Sequence, residues 1–139
     1  MNNLWFAPII SIILLVLVAV AGQSVYNNYI SASSEAINVT NISNNIVVDH
    51  GYYTGEITGI LTISEDFDYL TAKIDFYDSS GAKMDNTAYV ITQNKAKSGE
   101  TFNIKGFYMS KENPAKAILT VYNELGSADP IYTLEMKLQ

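Results

Sequence analysis

The side chains best suited to chemistry are few in this chain, and they lie far apart. His50 is the single histidine and follows Asp49, whereas a catalytic triad or a histidine metal site needs further partners close by. Cysteine is absent, which excludes disulfides, zinc–thiolate sites, thiol catalysis and a lipidated cysteine. No glycine-rich loop precedes a helix to cradle a phosphate. We therefore predict no catalytic residue and no cofactor, and we interpret His50 as a solvated loop residue.

Two acidic clusters could offer oxygen ligands to a calcium ion. The EF-hand pattern is missing, however, and acidic residues are ordinary turn formers. Paired carboxylates for glycoside hydrolysis also need a cleft between them, and short loops offer little cleft. We expect turns here instead of a metal site, and a protein that is not an enzyme. The clusters are Glu65, Asp66 and Asp68, followed by Asp75, Asp78 and Asp85.

The charge balance argues against nucleic acid as a partner. The formal net charge is −6, and all eight basic residues are lysines. Without arginine the chain lacks the planar fork that best holds phosphates and guanine edges. An acidic chain with no basic cluster is also a poor ligand for an anionic lipid surface.

Aromatic residues are abundant, and ten of them are tyrosines. Nine of the aromatic side chains that follow His50 exceed what a small core must bury, so some of them could line an exposed sheet face that binds a protein or a glycan. The alternative is that they form cross-strand pairs on a wet face. The nine are Tyr52, Tyr53, Tyr69, Tyr77, Tyr89, Phe107, Tyr108, Tyr122 and Tyr132.

An uncharged stretch from Leu4 to Gly22 begins the chain. Its length just suffices for a membrane-spanning helix, which needs about 20 apolar residues, and Pro8 falls in the first turn, where proline is tolerated. The leading interpretation is a retained signal anchor, giving a single-pass cell-membrane protein whose C-terminal domain is extracytoplasmic. The alternative is a signal peptide cleaved after Ala21, giving a secreted protein. The positive-inside rule hardly constrains the orientation, since the first lysine is Lys73.

Residues 23–45 are rich in Asn, Ser, Thr and Ala. They could form a polar linker, a helical stalk with Tyr26, Tyr29 and Ile30 at helical spacing, or a first edge strand over Ile37 to Asp49. Two glycosylation sequons begin at Asn38 and Asn41, and we predict both asparagines as glycosylation sites.

Residues 46–139 show period-2 alternation broken by turn residues every ten to twelve positions, which is typical of a sandwich or barrel. The connections are too short for crossover helices, so the sheets should be antiparallel. We predict an all-β fold, an antiparallel immunoglobulin-like β-sandwich of six to seven strands behind one N-terminal hydrophobic α-helix, with domains at 1–22, 23–45 and 46–139. The six strands are Tyr53–Ile63, Leu70–Tyr77, Met84–Gln93, Phe102–Tyr108, Ala117–Tyr122 and Tyr132–Leu138.

One strand and its turn, Thr71–Gly81, resemble the hallmark segment of FxLYD-type domains. The glycine-led segment Gly55–Gly59 and the turn Ser98–Phe102 are similar to two further features of that family. The resemblance covers about Gly55 to Tyr108. It implies a small extracytoplasmic immunoglobulin-like module of bacteria or archaea, and it supplies no catalytic residues.

Two functions follow from these patterns. The leading hypothesis is a membrane-anchored cell-surface module that binds a partner or acts as a spacer at the envelope, with the membrane contacted through Leu4 to Gly22. The alternative is an archaeal pilin-like filament subunit, a homo-oligomer whose hydrophobic helices pack in a core. Its support is Ala7–Leu14, which resembles the Ser-Pro-Val-Ile start of such proteins.

Overall fold

The computed structural model of the protein describes residues 29–32 and 35–138. The predicted hydrophobic helix, Leu4 to Gly22, lies outside these residues. Within the described part of the chain no helix is present that could cross a membrane.

The described residues form nine strands in two antiparallel sheets, which confirms the predicted all-β class and the antiparallel pairing. A five-stranded sheet has the order β1-β9-β8-β5-β6. In a four-stranded sheet β4 pairs with β7 along one edge and with β2 and then β3 along the other. The strands are β1 (Tyr29–Ala32), β2 (Ile37–Asn44), β3 (Val47–Asp49), β4 (Tyr52–Ile63), β5 (Phe67–Tyr77), β6 (Lys83–Ala96), β7 (Thr101–Ser110), β8 (Lys116–Tyr122) and β9 (Tyr132–Lys137).

The six predicted strands correspond to β4 through β9, but the region before them differs from the predicted division. A helical stalk is wrong for Tyr29–Ala32, which pairs with β9, and for Ile37–Asn44, which pairs with β4. The edge-strand alternative is the better description, although β2 and β3 are separate strands. The β fold therefore begins before residue 46. Each of these short segments is held by a partner strand distant in sequence, and their own composition carries little signal.

The two sheets bury a common core between their inner faces. In β5, Leu70, Ala72, Ile74 and Phe76 are fully buried, and they alternate with outward residues as predicted. The matching inward positions of the other long strands are Ile57, Leu61 and Ile63 of β4, Ile104 and Tyr108 of β7, and Leu119 and Val121 of β8.

Contacts across the core show how closely the sheets approach. The rings of Phe76 in the five-stranded sheet and Tyr108 in the four-stranded sheet have centroids 4.6 Å apart. A Cβ atom at Gly106 would lie 2.8 Å from Cδ1 of Ile74, so a larger residue in β7 would require this side chain of β5 to shift. The Tyr108 hydroxyl donates to the carbonyl of Glu112 at 2.7 Å, which satisfies the polar end of this buried ring.

The sandwich has two distinct ends. At the proximal end β1 begins at Tyr29, directly opposite Met136 of β9, and this is where the chain enters from the N-terminal segment. At the distal end lie three loops, 64–66, 97–100 and 123–131. All long strands run from one end to the other, so a residue's position along its strand shows which end it is near.

Candidate functional site

The structure divides the nine aromatic residues into three groups. Tyr108 and Tyr132 are buried in the core, and Tyr53 packs half-buried against it. Tyr52 and Phe107 lie on the outer face of the four-stranded sheet. The other four lie on the outer face of the five-stranded sheet, namely Tyr69, Tyr77, Tyr89 and Tyr122.

Strand register places three of these tyrosines together. Lys73 of β5 is directly opposite Tyr89 of β6, and Thr71 of β5 is directly opposite Tyr122 of β8. Residues directly opposite in an antiparallel pair point to the same side of the sheet. Tyr69, two positions before Thr71, therefore shares this face.

These side chains line a shallow cleft of about 270 Å³ near the distal end, which we call the tyrosine cleft. Its floor is β5, its two walls are Tyr89 and Tyr122, and its rim is the loop Glu124–Ser127. Tyr89 is 74% exposed and Leu125 of the rim is 85% exposed. Aromatic rings and polar groups thus converge in one shallow, open cleft, which makes it the candidate ligand site.

Lys73 is the cationic group of the cleft, whose rim also carries Glu124, and its neighbours favour its protonated form. Its Nζ lies 5.9 Å from the Tyr122 ring centroid and 3.5 Å from Oδ2 of Asp75. Partial burial alone would lower the pKa of Lys73, but the charge of Asp75 and the nearby hydroxyls of Tyr122 and Tyr89 together raise it above its ordinary value. Lys73 therefore offers a permanent ammonium donor beside two rings.

Asp75 lies next to the cleft and is buried although it belongs to the outer face. Its side chain is 8% exposed, and Nζ atoms of Lys73 and Lys83 each lie 3.5 Å from one of its oxygens. Thr87 Oγ1 donates a hydrogen bond to it at 2.6 Å. A buried carboxylate is tolerated when it is paired and hydrogen-bonded in this way. Asp75 thus holds Lys73 beside the cleft, and each of its oxygens already lies near a lysine ammonium.

Glu65, Asp66 and Asp78 lie in turns, as the sequence predicted, whereas Asp68 and Asp85 lie in strands β5 and β6. Asp66 accepts hydrogen bonds from the Ser98 amide at 2.8 Å and from Lys97 Nζ at 3.3 Å. These contacts, the amide first, lower the pKa of Asp66. In the described part of the chain no group of three or more His, Asp or Glu residues is arranged to hold a metal ion.

The two other predicted features lie at the sheet surface. His50 is 92% exposed in the turn between β3 and β4, with Nδ1 2.6 Å from the Asp49 carboxylate. Asn38 and Asn41 are exposed on the edge strand β2, and Asn41 has φ 54° at the bulge of that strand. Both asparagines are accessible to a modifying enzyme, and their glycosylation stays a prediction.

The tyrosine cleft itself could be predicted only in part. Abundant tyrosine indicated an aromatic face, but its members depend on the strand order β8-β5-β6. They also depend on the irregularity in β6 that follows the Ala72–Ile91 pair and sets Tyr89 opposite Lys73. Thr71, Lys73 and the Glu124–Ser127 loop gave no signal of their own, since short polar residues on strands and turns are common.

No family model matches the chain, and no curated protein matches it. Among solved structures it is similar to the C-terminal domain of Wzt, with a TM-score of 0.58, 11% identity, and coverage of 80% of this chain and 78% of that one. It also matches the Pseudomonas fluorescens alkylpurine DNA glycosylase AlkC bound to DNA containing an abasic site analogue (TM-score 0.48, 12% identity, 75% and 30% coverage). The putative ApaA protein from Bordetella pertussis gives a TM-score of 0.45 at 13% identity, with 73% and 93% coverage. The first likeness shows that the two-sheet fold occurs elsewhere, and the other two carry no argument.

Proposed function

We propose that this protein is a non-enzymatic, membrane-anchored module of the cell surface whose tyrosine cleft binds a glycan. Its β domain is an immunoglobulin-like sandwich of the FxLYD type, held at the envelope by Leu4 to Gly22. The observation that carries the binding site is the convergence of Tyr69, Tyr89, Tyr122 and Lys73 on one outer face.

The chemistry of the cleft suits a sugar ring. The C–H groups on one side of a pyranose are weakly positive and pack against the negative face of an aromatic ring. Its hydroxyls need donors and acceptors at the edges, which Lys73, Thr71 and the polar loop Glu124–Ser127 supply. The rings of Tyr89 and Tyr122 stand on either side of the strand that carries these polar groups.

A protein partner fits this face less well. A standard protein interface buries about 800 Å² on each side around an apolar core. The tyrosine cleft has no apolar core, because the strand at its floor presents threonine and lysine and its rim is the polar loop Glu124–Ser127. A chain-like ligand that lies along the groove needs less apolar area than a folded protein does.

Binding of the full chain, solubilised in mild detergent, to an array of microbial surface polysaccharides tests the site. We expect retention of at least one glycan by the wild-type chain and a loss of affinity of about 5- to 150-fold in Tyr89→Ala, which corresponds to the about 1–3 kcal/mol that a ring stacked on an aromatic side chain contributes in nucleic-acid complexes. Phe107→Ala is the matched control, because it removes an exposed ring from the other sheet. Equal binding by both variants, or no glycan bound by the wild type, contradicts the proposal.

The anchor is tested separately by mass spectrometry of the mature chain from cells. A retained Leu4–Gly22 segment supports anchoring, and a mature start at Gly22 means that the segment is only a signal. Electron microscopy of shear fractions with an epitope-tagged chain addresses the filament alternative. Label along filaments would contradict the anchored module and support the pilin-like filament subunit.

A further inference from the structure

The outer face of the four-stranded sheet carries an exposed apolar patch, formed by Val47, Tyr52, Phe107 and Met109. The exposed fractions of these residues are 59%, 36%, 57% and 52%. Val47 is opposite Thr54 of β4, and Met109 is opposite the same Thr54 from the other side, so these three form one row across the sheet. Phe107 and Tyr52 extend the patch along β7 and β4. Large side chains exposed together in this way mark contact surfaces.

The patch lies at the proximal end of the sandwich, where β3 and the start of β4 meet the end of β7. The chain enters at the same end, since Tyr29 of β1 lies opposite Met136 near the end of β9. Seven residue steps separate Gly22 from Tyr29, which span at most about 25 Å whatever their conformation. A segment anchored through Leu4 to Gly22 therefore keeps this end of the domain close to the bilayer surface.

The charges of the domain favour the same orientation. Around the patch basic and acidic residues are mixed: Lys105 Nζ lies 3.3 Å from the Glu56 carboxylate, Lys111 Nζ lies 5.5 Å from the Tyr52 ring centroid, and Asp49 is directly opposite Tyr52. The distal loops, in contrast, contain Glu65, Asp66, Glu100, Glu124 and Asp129 with Lys97 as their one basic residue. A strongly acidic end is repelled by anionic headgroups, whereas a less acidic, apolar end with a tyrosine and lysines at its border suits the interfacial region.

We propose that the apolar patch rests in the headgroup region of the bilayer that holds the N-terminal segment, so that the proximal corner of the four-stranded sheet is membrane-bound and the tyrosine cleft faces away. This inference rests on the proposed anchoring through Leu4 to Gly22. The contact is apolar and not electrostatic, and it therefore occurs on zwitterionic lipid as well.

Tryptophan fluorescence of the full chain in phosphatidylcholine vesicles tests the contact. The wild-type chain has Trp5 as its only tryptophan, and quenching of Trp5 by brominated lipid reports insertion of the N-terminal segment. In a Trp5→Phe background, Phe107→Trp places the probe in the patch and Leu125→Trp places it at the distal end. We expect brominated lipid to quench and plain lipid to blue-shift the probe at position 107, and neither effect at position 125.

A pair of substitutions in the patch separates loss of the membrane contact from loss of the fold. Val47→Asp with Met109→Asp adds charge at two positions that are more than half exposed, so the fold should persist, as circular dichroism can verify. The pair should abolish the quenching at position 107. An unquenched Trp5 would overturn the anchoring and with it the docking. If brominated lipid quenches Trp5 in the wild-type chain but not the tryptophan at position 107 in the variant, the docking alone is overturned. Burial of the patch in a dimer of two chains would overturn the docking as well.

Discussion

Asp78 holds together the turn between β5 and β6. One of its carboxylate oxygens accepts hydrogen bonds from the Ser80 amide at 2.9 Å, the Ser80 hydroxyl at 2.6 Å and the Ala82 amide at 3.0 Å. Gly81 completes the turn with φ 85°, a conformation that glycine adopts without strain. The hydrogen bonds, that from the Ser80 hydroxyl first, lower the pKa of Asp78 below its ordinary 3.8.

Asp78→Asn should therefore change how the stability of the protein responds to acid. Because the pKa is lower in the folded state, the carboxylate stabilises the fold above the unfolded value, and this contribution is lost as the pH falls through 3.8 toward the folded value. The variant should be less stable than the wild type at pH 7 and should lose less stability on acidification. Thermal unfolding of the detergent-solubilised chain, followed at about ten pH values between pH 7 and pH 2.5, measures the stability at neutral pH and its loss on acidification.

Asp85→Asn is the matched control, because Asp85 is exposed and makes no hydrogen bond or ion pair within the described residues. A variant at Asp78 whose acid response equals that of this control would contradict the role of the turn.

Sequence reasoning succeeded at single residues where period or turn chemistry decides the outcome. Leu70, Ala72, Ile74 and Phe76 were placed inward by alternation alone, since a strand's side chains point to opposite faces in turn. The burial of Asp75 was not predictable, because it depends on Lys83 and Thr87 from the neighbouring strand. A residue's face follows from its own strand, but its burial follows from the strands beside it.

At the scale of elements, β4 joins all the strands of the four-stranded sheet, and glycine is required where another segment passes over it. A Cβ atom at Gly55 would lie 2.6 Å from Cα of Ile46 and 2.7 Å from the carbonyl oxygen of Asn45. These are backbone atoms of the connection between β2 and β3. At Gly106, by contrast, the nearest atom is Cδ1 of the Ile74 side chain.

Gly55→Ala should accordingly destabilise the protein more than Gly106→Ala. A clash with backbone must displace the β2–β3 connection, which costs about 1–3 kcal/mol or more, whereas an isoleucine side chain can change rotamer at a smaller cost. Urea unfolding of both variants under identical conditions provides the comparison. Equal urea midpoints for the two variants, or a larger loss of stability in Gly106→Ala, would show that the β2–β3 connection can shift at little cost.

The sequence predicted the six long strands, missed β1, and did not separate β3 from β2, for a physical reason. Strands β4 to β9 contain enough alternating positions for a period to be recognised. Strand β1 has four residues, and β3 has three, so neither contains a readable pattern. Their existence depends on the free edges of β9 and β4, which no local pattern encodes.

For the molecule as a whole, the strand order and the distribution of charge make the two ends of the sandwich different. The chain enters at the proximal end, where the apolar patch lies, and the tyrosine cleft and the acidic loops lie toward the distal end. If the chain is anchored through Leu4 to Gly22 as proposed, this arrangement directs the tyrosine cleft away from the membrane.

Strand β1 covers the edge of β9, and its removal tests that role. A chain starting at Glu35 loses at most a few backbone hydrogen bonds, each worth about 0.5–1.5 kcal/mol. It also avoids the ordering of four residues, at about 1–2 kcal/mol each, so the two effects nearly cancel. The exposed edge of β9, however, presents the unpaired N–H and C=O groups of Thr133 and Glu135, which can pair with another chain.

We therefore expect a chain that starts at Glu35 to unfold at nearly the same temperature as one that starts at Gly22, but to self-associate at lower concentration. Sedimentation velocity over a concentration series, combined with thermal unfolding, measures the two quantities on the same samples. Leu138 N donates to the carbonyl of Ala115, which directly precedes β8, so by alternation Leu134 and Met136 also bond to β8, and Thr133 and Glu135 direct their N–H groups toward the edge that β1 covers. Substituting Thr133 by proline in the shorter chain removes one N–H from the exposed edge and should reduce the association. A shorter chain that stays monomeric, or that unfolds without associating, would show that β1 contributes to stability and does not protect the edge.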